Sequence, residues 1–346
     1  MLDNGSVKFS VSRNGDGFFQ HVWLDEDGNG AYWPEEMIVH SAVRGHVFVD
    51  LVRQSGKTLR CQGTATSADI RSRKTGDAVV VKGTLGDPGK SGYTLEIEHV
   101  PGESAVRVTH ALDLRIDPER DRVKAWGLRV PMRYRLGDEY DKRLVSYGCE
   151  HGAEEVLVEE TRWSYYAHWF IERMHESLKK RNDTGLSQLS QATGFDEHHL
   201  PKDQIPWPYW TQSAVVQESP TSYRIWKATA KNVGSLPVYR GKTSSGWVDL
   251  YDGRWGMAVA LKDMVKRAPA ALEVDAEIDS TRGEVTVYFH PRHSAPIDLR
   301  PTRKGQSLKE RLKETGLSAK RTVVYYFHKG SAEEAKVGEK MGALLR

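Results

Sequence analysis

The sequence predicts a mainly β protein, built as a large antiparallel β-sandwich with a helical or irregular insertion and a short C-terminal helix. Three observations carry this. Short β-branched and aromatic runs recur along the chain, many of them alternating apolar and polar positions as half-buried antiparallel strands do. Turn chemistry separates them, as in Asn14-Gly15-Asp16-Gly17, Asp27-Gly28-Asn29-Gly30, Asp87-Pro88-Gly89 and Pro101-Gly102. No strand–helix–strand rhythm is present, so a parallel sheet is not expected.

Taken in order, Val7–Val11, Phe18–Leu24, Val47–Arg53, Val79–Gly83, Tyr93–His99, Val106–Leu114 and Gly127–Tyr134 read as strands. From Thr161 to Thr211 the pattern breaks. Arg162–Lys180 (RWSYYAHWFIERMHESLKK) has helical spacing, and a polar stretch ending in IPWPYW follows it. A long excursion of this kind between strands of a compact sandwich points to function. Strands return at Val215–Gln217, Ser222–Lys227, Gly246–Leu250, Met257–Leu261, Leu272–Glu277, Glu284–His290 and Thr322–Phe327. Ser331–Leu345 has helical spacing, with Ser331 as the expected N-cap. The expected organisation is one sandwich unit over 1–346, with the insertion at about 161–211 and the terminal helix at about 331–345.

Composition narrows the function. The net charge is +3 over 346 residues, and Lys and Arg are interspersed with Asp and Glu. A concentrated basic face is missing, so nucleic acid is not an expected partner. No run of about 18 apolar residues exists to span a membrane. The start, MLDNGSVKF, lacks the basic and apolar regions of a signal peptide, which suits a cytoplasmic protein or a processed or trimmed secreted one. Cys61 and Cys149 are too few and too far apart for a disulfide framework or a zinc cluster. Ten Trp and fourteen Tyr offer flat apolar faces with polar tips, which suit sugar rings as well as a β core.

At Tyr223–Lys227 (YRIWK), Gly246–Gly256 (GWVDLYDGRWG) and Tyr326–Ala335 (YFHKGSAEEA) the chain resembles the exo-rhamnogalacturonan lyase-like family, polysaccharide lyase family 26 and its bacterial relatives. Val106–Met132 is similar to the middle region of the same family. The matches are in order and spread over about two thirds of the chain. The resemblance implies the β-sandwich (supersandwich) region only. It also implies action on an acidic polysaccharide or oligosaccharide containing rhamnose and uronic acid, and a helical barrel domain as a partner beyond Arg346. No cofactor is expected, although a divalent cation such as calcium is compatible with the carboxylates present.

A lyase of this kind removes the C5 proton of a uronate and protonates the leaving O4, while the uronate carboxylate is neutralised. That requires a base, an acid and strong charge stabilisation. Arginine suits the carboxylate through its planar fork, and Tyr or His suits the proton transfers. On a helix, Tyr165, Trp169 and Arg173 share one face, while Tyr166, Phe170 and Met174 share the next. Tyr166 and His168 are therefore the expected acid and base, with Arg173 or Arg162 on the carboxylate. Packing as an amphipathic cover helix is the plainer reading of the same residues. Trp207, Tyr209 and Trp210, stiffened by Pro206 and Pro208, form a candidate sugar-stacking platform, and Trp169 on the helix is a further candidate substrate-binding residue. His290, Arg292 and His293 (HPRH) cluster at a strand end as a candidate acidic-sugar site. Asp196, Glu197, His198 and His199 read as a solvated loop rather than a metal site, and Glu150 and His151 as a loop pair bordering the cleft. Asp252 reads as a turn-maker. Glu159, Glu160 or Asp249 could supply the paired carboxylates of a glycoside hydrolase, so that class stays open. A non-catalytic glycan-binding or scaffold domain is the remaining alternative.

Overall fold

A computed structural model of the chain describes residues 1–13, 15, 18–40, 46–73, 76–134, 144–149, 152–157, 212–228, 235–279 and 282–346. The strands, in chain order, begin with β1 (Leu2–Asp3), β2 (Val7–Ser10), β3 (His21–Leu24), β4 (Met37–Val39), β5 (His46–Arg53), β6 (Thr58–Arg73) and β7 (Gly76–Leu85). They continue with β8 (Gly92–His99), β9 (Ala105–Asp113), β10 (Asp121–Arg133), β11 (Leu144–Cys149), β12 (Gly152–Leu157), β13 (Gln212–Ser219) and β14 (Ser222–Ala228). The last are β15 (Ser235–Gly241), β16 (Trp247–Tyr251), β17 (Trp255–Leu261), β18 (Ala270–Asp279), β19 (Arg282–His290) and β20 (Arg321–Lys329). Two helices, α1 (Leu308–Glu314) and α2 (Val337–Leu344), flank β20.

Strands β1 to β4 form a small four-stranded sheet. The other sixteen form one antiparallel sheet in the order β12-β11-β16-β17-β20-β9-β8-β7-β6-β5-β10-β19-β18-β13-β14-β15. The sheet folds over on itself. β16 and β17 approach β18 across the core, and the Tyr134 hydroxyl donates to the Ala276 carbonyl. The enclosed core takes Val81, Leu95, Ile97, Val106 and Val108 from one layer and Trp126, Leu128, Val130, Leu272, Val285 and Val287 from the other. The expected β-sandwich is therefore observed.

Period-two alternation dictates this arrangement. On β19, Val285, Val287 and Phe289 point into the core, while Glu284, Thr286 and Tyr288 take the outer face. β10 does the same, with Trp126, Leu128 and Val130 inward and Arg129 outward. The outer face of the other layer carries its own apolar cluster of Trp247, Ala258, Ala260, Val324 and Tyr326, which α2 covers through Val337, Met341 and Leu344.

Three elements differ from expectation. β6, sixteen residues long, was not legible as a strand because its outward positions are Thr, Ser, Asp and Arg and its inward ones mostly small. The terminal helix starts at Val337, not at Ser331. Ser331 instead accepts a hydrogen bond from the Glu334 amide and its own amide donates to the Glu334 carboxylate, capping a separate turn. Lys336, at φ 51°, then interrupts the run before α2 begins. α1, entered through a Ser307–Glu310 capping box, was not anticipated. The insertion expected at about 161–211 lies outside the described residues.

Gly127 on β10 faces Phe48 and Tyr288 in register, one on each neighbouring strand. A Cβ at this position would run into the Val287 carbonyl oxygen and touch the Phe48 ring. Its absence lets Phe48 and Tyr288 meet edge-to-face at 5.6 Å. Gly127→Ala should lower the unfolding free energy by about 1–3 kcal/mol, the usual cost of overpacking. An unchanged urea midpoint would show that the strands part without cost.

Candidate functional site

The outer face of the layer formed by β6, β5, β10, β19, β18, β13 and β14 concentrates charge over an aromatic floor. Phe48, Trp226 and Tyr288 are buried there together with Ala125, Ala214 and Ala271. Around them, the alternation of each strand delivers Asp50, Arg60, Arg129, Glu273, Asp275 and Glu284 to the same face.

The charges are paired. Arg60 binds both oxygens of Asp50, with Nε at 2.9 Å and Nη2 at 2.8 Å. Arg129 Nε lies 2.8 Å from Glu284 Oε1. Arg292 Nη2 donates to Glu273 Oε1 at 2.8 Å. Gln212 donates to Asp275. The Arg60 and Arg129 guanidinium groups both lie over the Phe48 ring, at 5.5 and 5.8 Å.

Three carboxylates crowd two adjacent strands, since Glu284 stands opposite Asp275 and Thr286 opposite Glu273. Glu273 and Glu284 are thus diagonal neighbours, a separation of roughly 7–8 Å along such a pair of strands. Burial raises the Glu284 carboxyl to about 7; Arg129 opposes this, and Asp275 and Glu273 add to it. Burial likewise raises Glu273, against the pull of Arg292 and Arg129. The Tyr288 hydroxyl is pushed up by burial, so it stays protonated. Such a group, half-ionised near neutrality and flanked by cations, can take up and release a proton at working pH.

The HPRH residues divide. Arg292 reaches Glu273, and its Nε donates to His293 Nε2 at 3.3 Å. His293 stands edge-on to Trp226 at 5.4 Å. Burial first, then Arg292, Arg224 and Lys124, pull the His293 imidazole down to about 4, so it is neutral. His290 lies apart, hydrogen-bonded to the Ala295 carbonyl and grouped with Trp126 and Phe289. Tyr166, His168, Arg173, Arg162, Trp169, Trp207, Tyr209 and Trp210 lie outside the described residues, as do Glu150, His151, Glu159, Glu160 and Asp196–His199. Glu273, Glu284, Arg129, Tyr288 and Trp226 were not singled out from sequence. Their signal was present in the outward polar positions of strands whose inward positions are apolar.

Asp249 has a different setting. It is fully buried on β16, and its Oδ1 accepts from His328 Nε2 at 2.9 Å. His328 Nδ1 donates to the Gly330 carbonyl at 3.0 Å. Burial works against the imidazolium, but Asp249 and the backbone acceptors outweigh it, and the His328 pKa is raised. Asp249 Oδ2 and the register-paired Ser146 Oγ are buried without a hydrogen-bond partner among the described residues. Asp252 makes the turn expected of it, accepting from the amides of Arg254 and Trp255. Arg254 closes on Glu26 with both ends of its fork. Asp25, Asp27 and Glu36 bring one oxygen each within 4.8 Å of one another. They already accept the amides of Glu26, Asn29, Gly30 and Trp33, which makes them loop staples.

The sequence matches the family described as the PcRGLX-like protein central beta sandwich domain over residues 1–317. The chain belongs to that family. The matched span holds β1 to β19 and α1, hence all of the charged outer face, while His328 and α2 follow it. The likeness read from YRIWK and GWVDLYDGRWG thus names the right family and the right region of it. No curated protein matches the sequence. Among solved structures, a candidate aldose 1-epimerase from Klebsiella pneumoniae is similar, with a TM-score of 0.29 and 8% identity, over 83% of this chain and 59% of that one.

Proposed function

We propose that this PcRGLX-like sandwich is a carbohydrate-active domain that receives an acidic polysaccharide on the charged outer face and cleaves it as a lyase. The observation that carries the reading is how the charges are layered there. Arg60, Arg129 and Arg292 keep 43, 25 and 29% of their side chains exposed, against 7, 13 and 10% for their partners Asp50, Glu284 and Glu273. An arriving ligand meets guanidinium groups first and carboxylates beneath them. Planar forks of this kind match a uronate carboxylate.

In this reading Arg129 and Arg292 neutralise the uronate, and the ionised form of Glu284 takes the C5 proton. The electron pair left on C5 forms the C4–C5 double bond, the C4–O4 bond breaks, and O4 takes a proton from a second acid. Tyr166 and His168 remain the candidates for that acid, with Arg162 and Arg173 as further carboxylate ligands. A rhamnose- and uronate-containing polymer is the expected substrate, in line with the resemblance to exo-rhamnogalacturonan lyases. A helical barrel domain would complete the enzyme.

The test is incubation with rhamnogalacturonan and related acidic polymers while following the ultraviolet absorbance of the unsaturated product. Rising absorbance supports the lyase. New reducing ends without absorbance would mean hydrolysis through the Glu273–Glu284 pair. Affinity without turnover would mean a binding domain, and neither binding nor turnover would overturn the reading.

A further inference from the structure

On the opposite side of β10 and β19 from Glu284, a cavity of about 270 Å³ opens among Trp126, Arg267, His290, Thr315 and Arg321. Arg321 is only 8% exposed. Among the described residues its guanidinium makes one hydrogen bond, from Nη2 to the Gly316 carbonyl at 3.3 Å, and it lies over the Trp126 ring at 5.5 Å. Its Nε is buried and has no hydrogen-bond partner among the described residues, and the same holds for the Trp126 indole Nε1. No carboxylate pairs with Arg321 or Arg267 among the described residues.

A buried charge left without a counterion is costly, and buried donors are seldom left empty. On the outer face, by contrast, even the partly exposed guanidinium groups of Arg60, Arg129 and Arg292 each have a carboxylate partner. The uncompensated field is felt nearby. Burial and then Arg267 pull the Arg321 guanidinium down to about 10. Burial and then Arg321 hold His110, stacked on Phe289 and tilted against Trp126, down to about 3. Its neutral ring adds no counter-charge. Thr315 spends its hydroxyl on the Arg311 carbonyl, so it brings no donor.

We propose that this cavity is a binding site for a compact oxyanion, held by Arg321 and Arg267 with the Trp126 indole as a third donor. The chemistry fits a free inorganic anion or the charged substituent of an acidic sugar. The site is independent of the outer face, and its occupancy does not depend on the lyase reading.

Calorimetric titration at constant ionic strength tests it, with sodium sulfate, inorganic phosphate, galacturonate and galactose as probes and chloride as the balancing salt. The expected result is saturable binding of at least one anion, no binding of galactose, and a loss of at least about tenfold in affinity in Arg321→Gln, a shift of 1.4 kcal/mol. Preference for sulfate or phosphate identifies a free anion, and preference for galacturonate identifies a sugar acid. Arg267→Gln, at a half-exposed position, provides a second variant that should fold and weaken binding in the same direction. Absence of saturable anion binding, or equal binding by the wild type and Arg267→Gln, overturns the proposal.

Discussion

Replacing His328 with alanine is expected to lower the unfolding free energy by about 3–5 kcal/mol, the usual cost of removing one partner from a buried ion pair. Asp249 is wholly buried and its Oδ2 has no partner among the described residues, so losing His328 would leave both carboxylate oxygens unsatisfied there. The cavity left by the ring adds to that cost. Gly256 shows how tightly the pair is held, because a Cβ there would collide with the His328 ring. Urea unfolding of H328A, D249A and the double variant measures the coupling. The double variant should lose less than the sum of the singles, because the two side chains act as one unit.

The same pair sets a pH dependence. The folded-state pKa of His328 is raised above the ordinary 6.5, so the folded protein holds this proton more tightly than the unfolded chain. The resulting stability is fully present below about 6.5 and is lost as pH rises through the raised value. In D249A that slope should disappear, since the imidazole no longer has a carboxylate to keep it charged. A D249A unfolding free energy that falls above pH 7 as steeply as the wild type's would show that the pair is not ionised; the raised Glu284 adds its own loss of stability up to about pH 7 in both proteins.

Glu284→Gln is the second large effect. On the lyase reading it removes the base, and turnover should fall by about 10²–10⁴-fold. Glutamine keeps the shape and one acceptor oxygen for Arg129, so the fold should survive, as circular dichroism would confirm. The wild-type rate should rise with pH and level off above about 7, because only the ionised carboxylate accepts a proton and its pKa is about 7. Retention of full activity in E284Q would remove Glu284 from the chemistry while leaving the outer face as a binding surface.

Much of the fold could be read directly. EVTVYFH on β19 alternates so cleanly that both its core face and its polar face follow from the letters. The turn at Asp252 was equally plain. What alternation cannot give is which strands lie side by side. Arg129, Glu273 and Glu284 come together only because β10, β19 and β18 are neighbours in the folded sheet. Arg292 joins them because the loop after β19 turns back over β18, while His290, two residues earlier, is grouped with Trp126 instead. The local cluster HPRH does not reveal that its members serve different surroundings. Asp249 and His328 are 79 residues apart. Each sat inside a motif that carried the family resemblance, yet nothing in either motif announces the other.

The place of β20 has a consequence for synthesis. It lies between β17 and β9, so β9 and β17 gain their shared neighbour only through it. Yet it follows every other strand in the chain. A ribosome delivers the chain from the N-terminus, so until residues 321–329 emerge, β9 and β17 each present an unpaired edge. Such edges are sites of mispairing and aggregation. A fragment ending at residue 317 would carry this defect permanently, and would also lose the α2 cover over Trp247 and Ala258. The middle of the sheet can lock only when its last strand arrives, which favours late, all-at-once assembly over stepwise growth from the first strands.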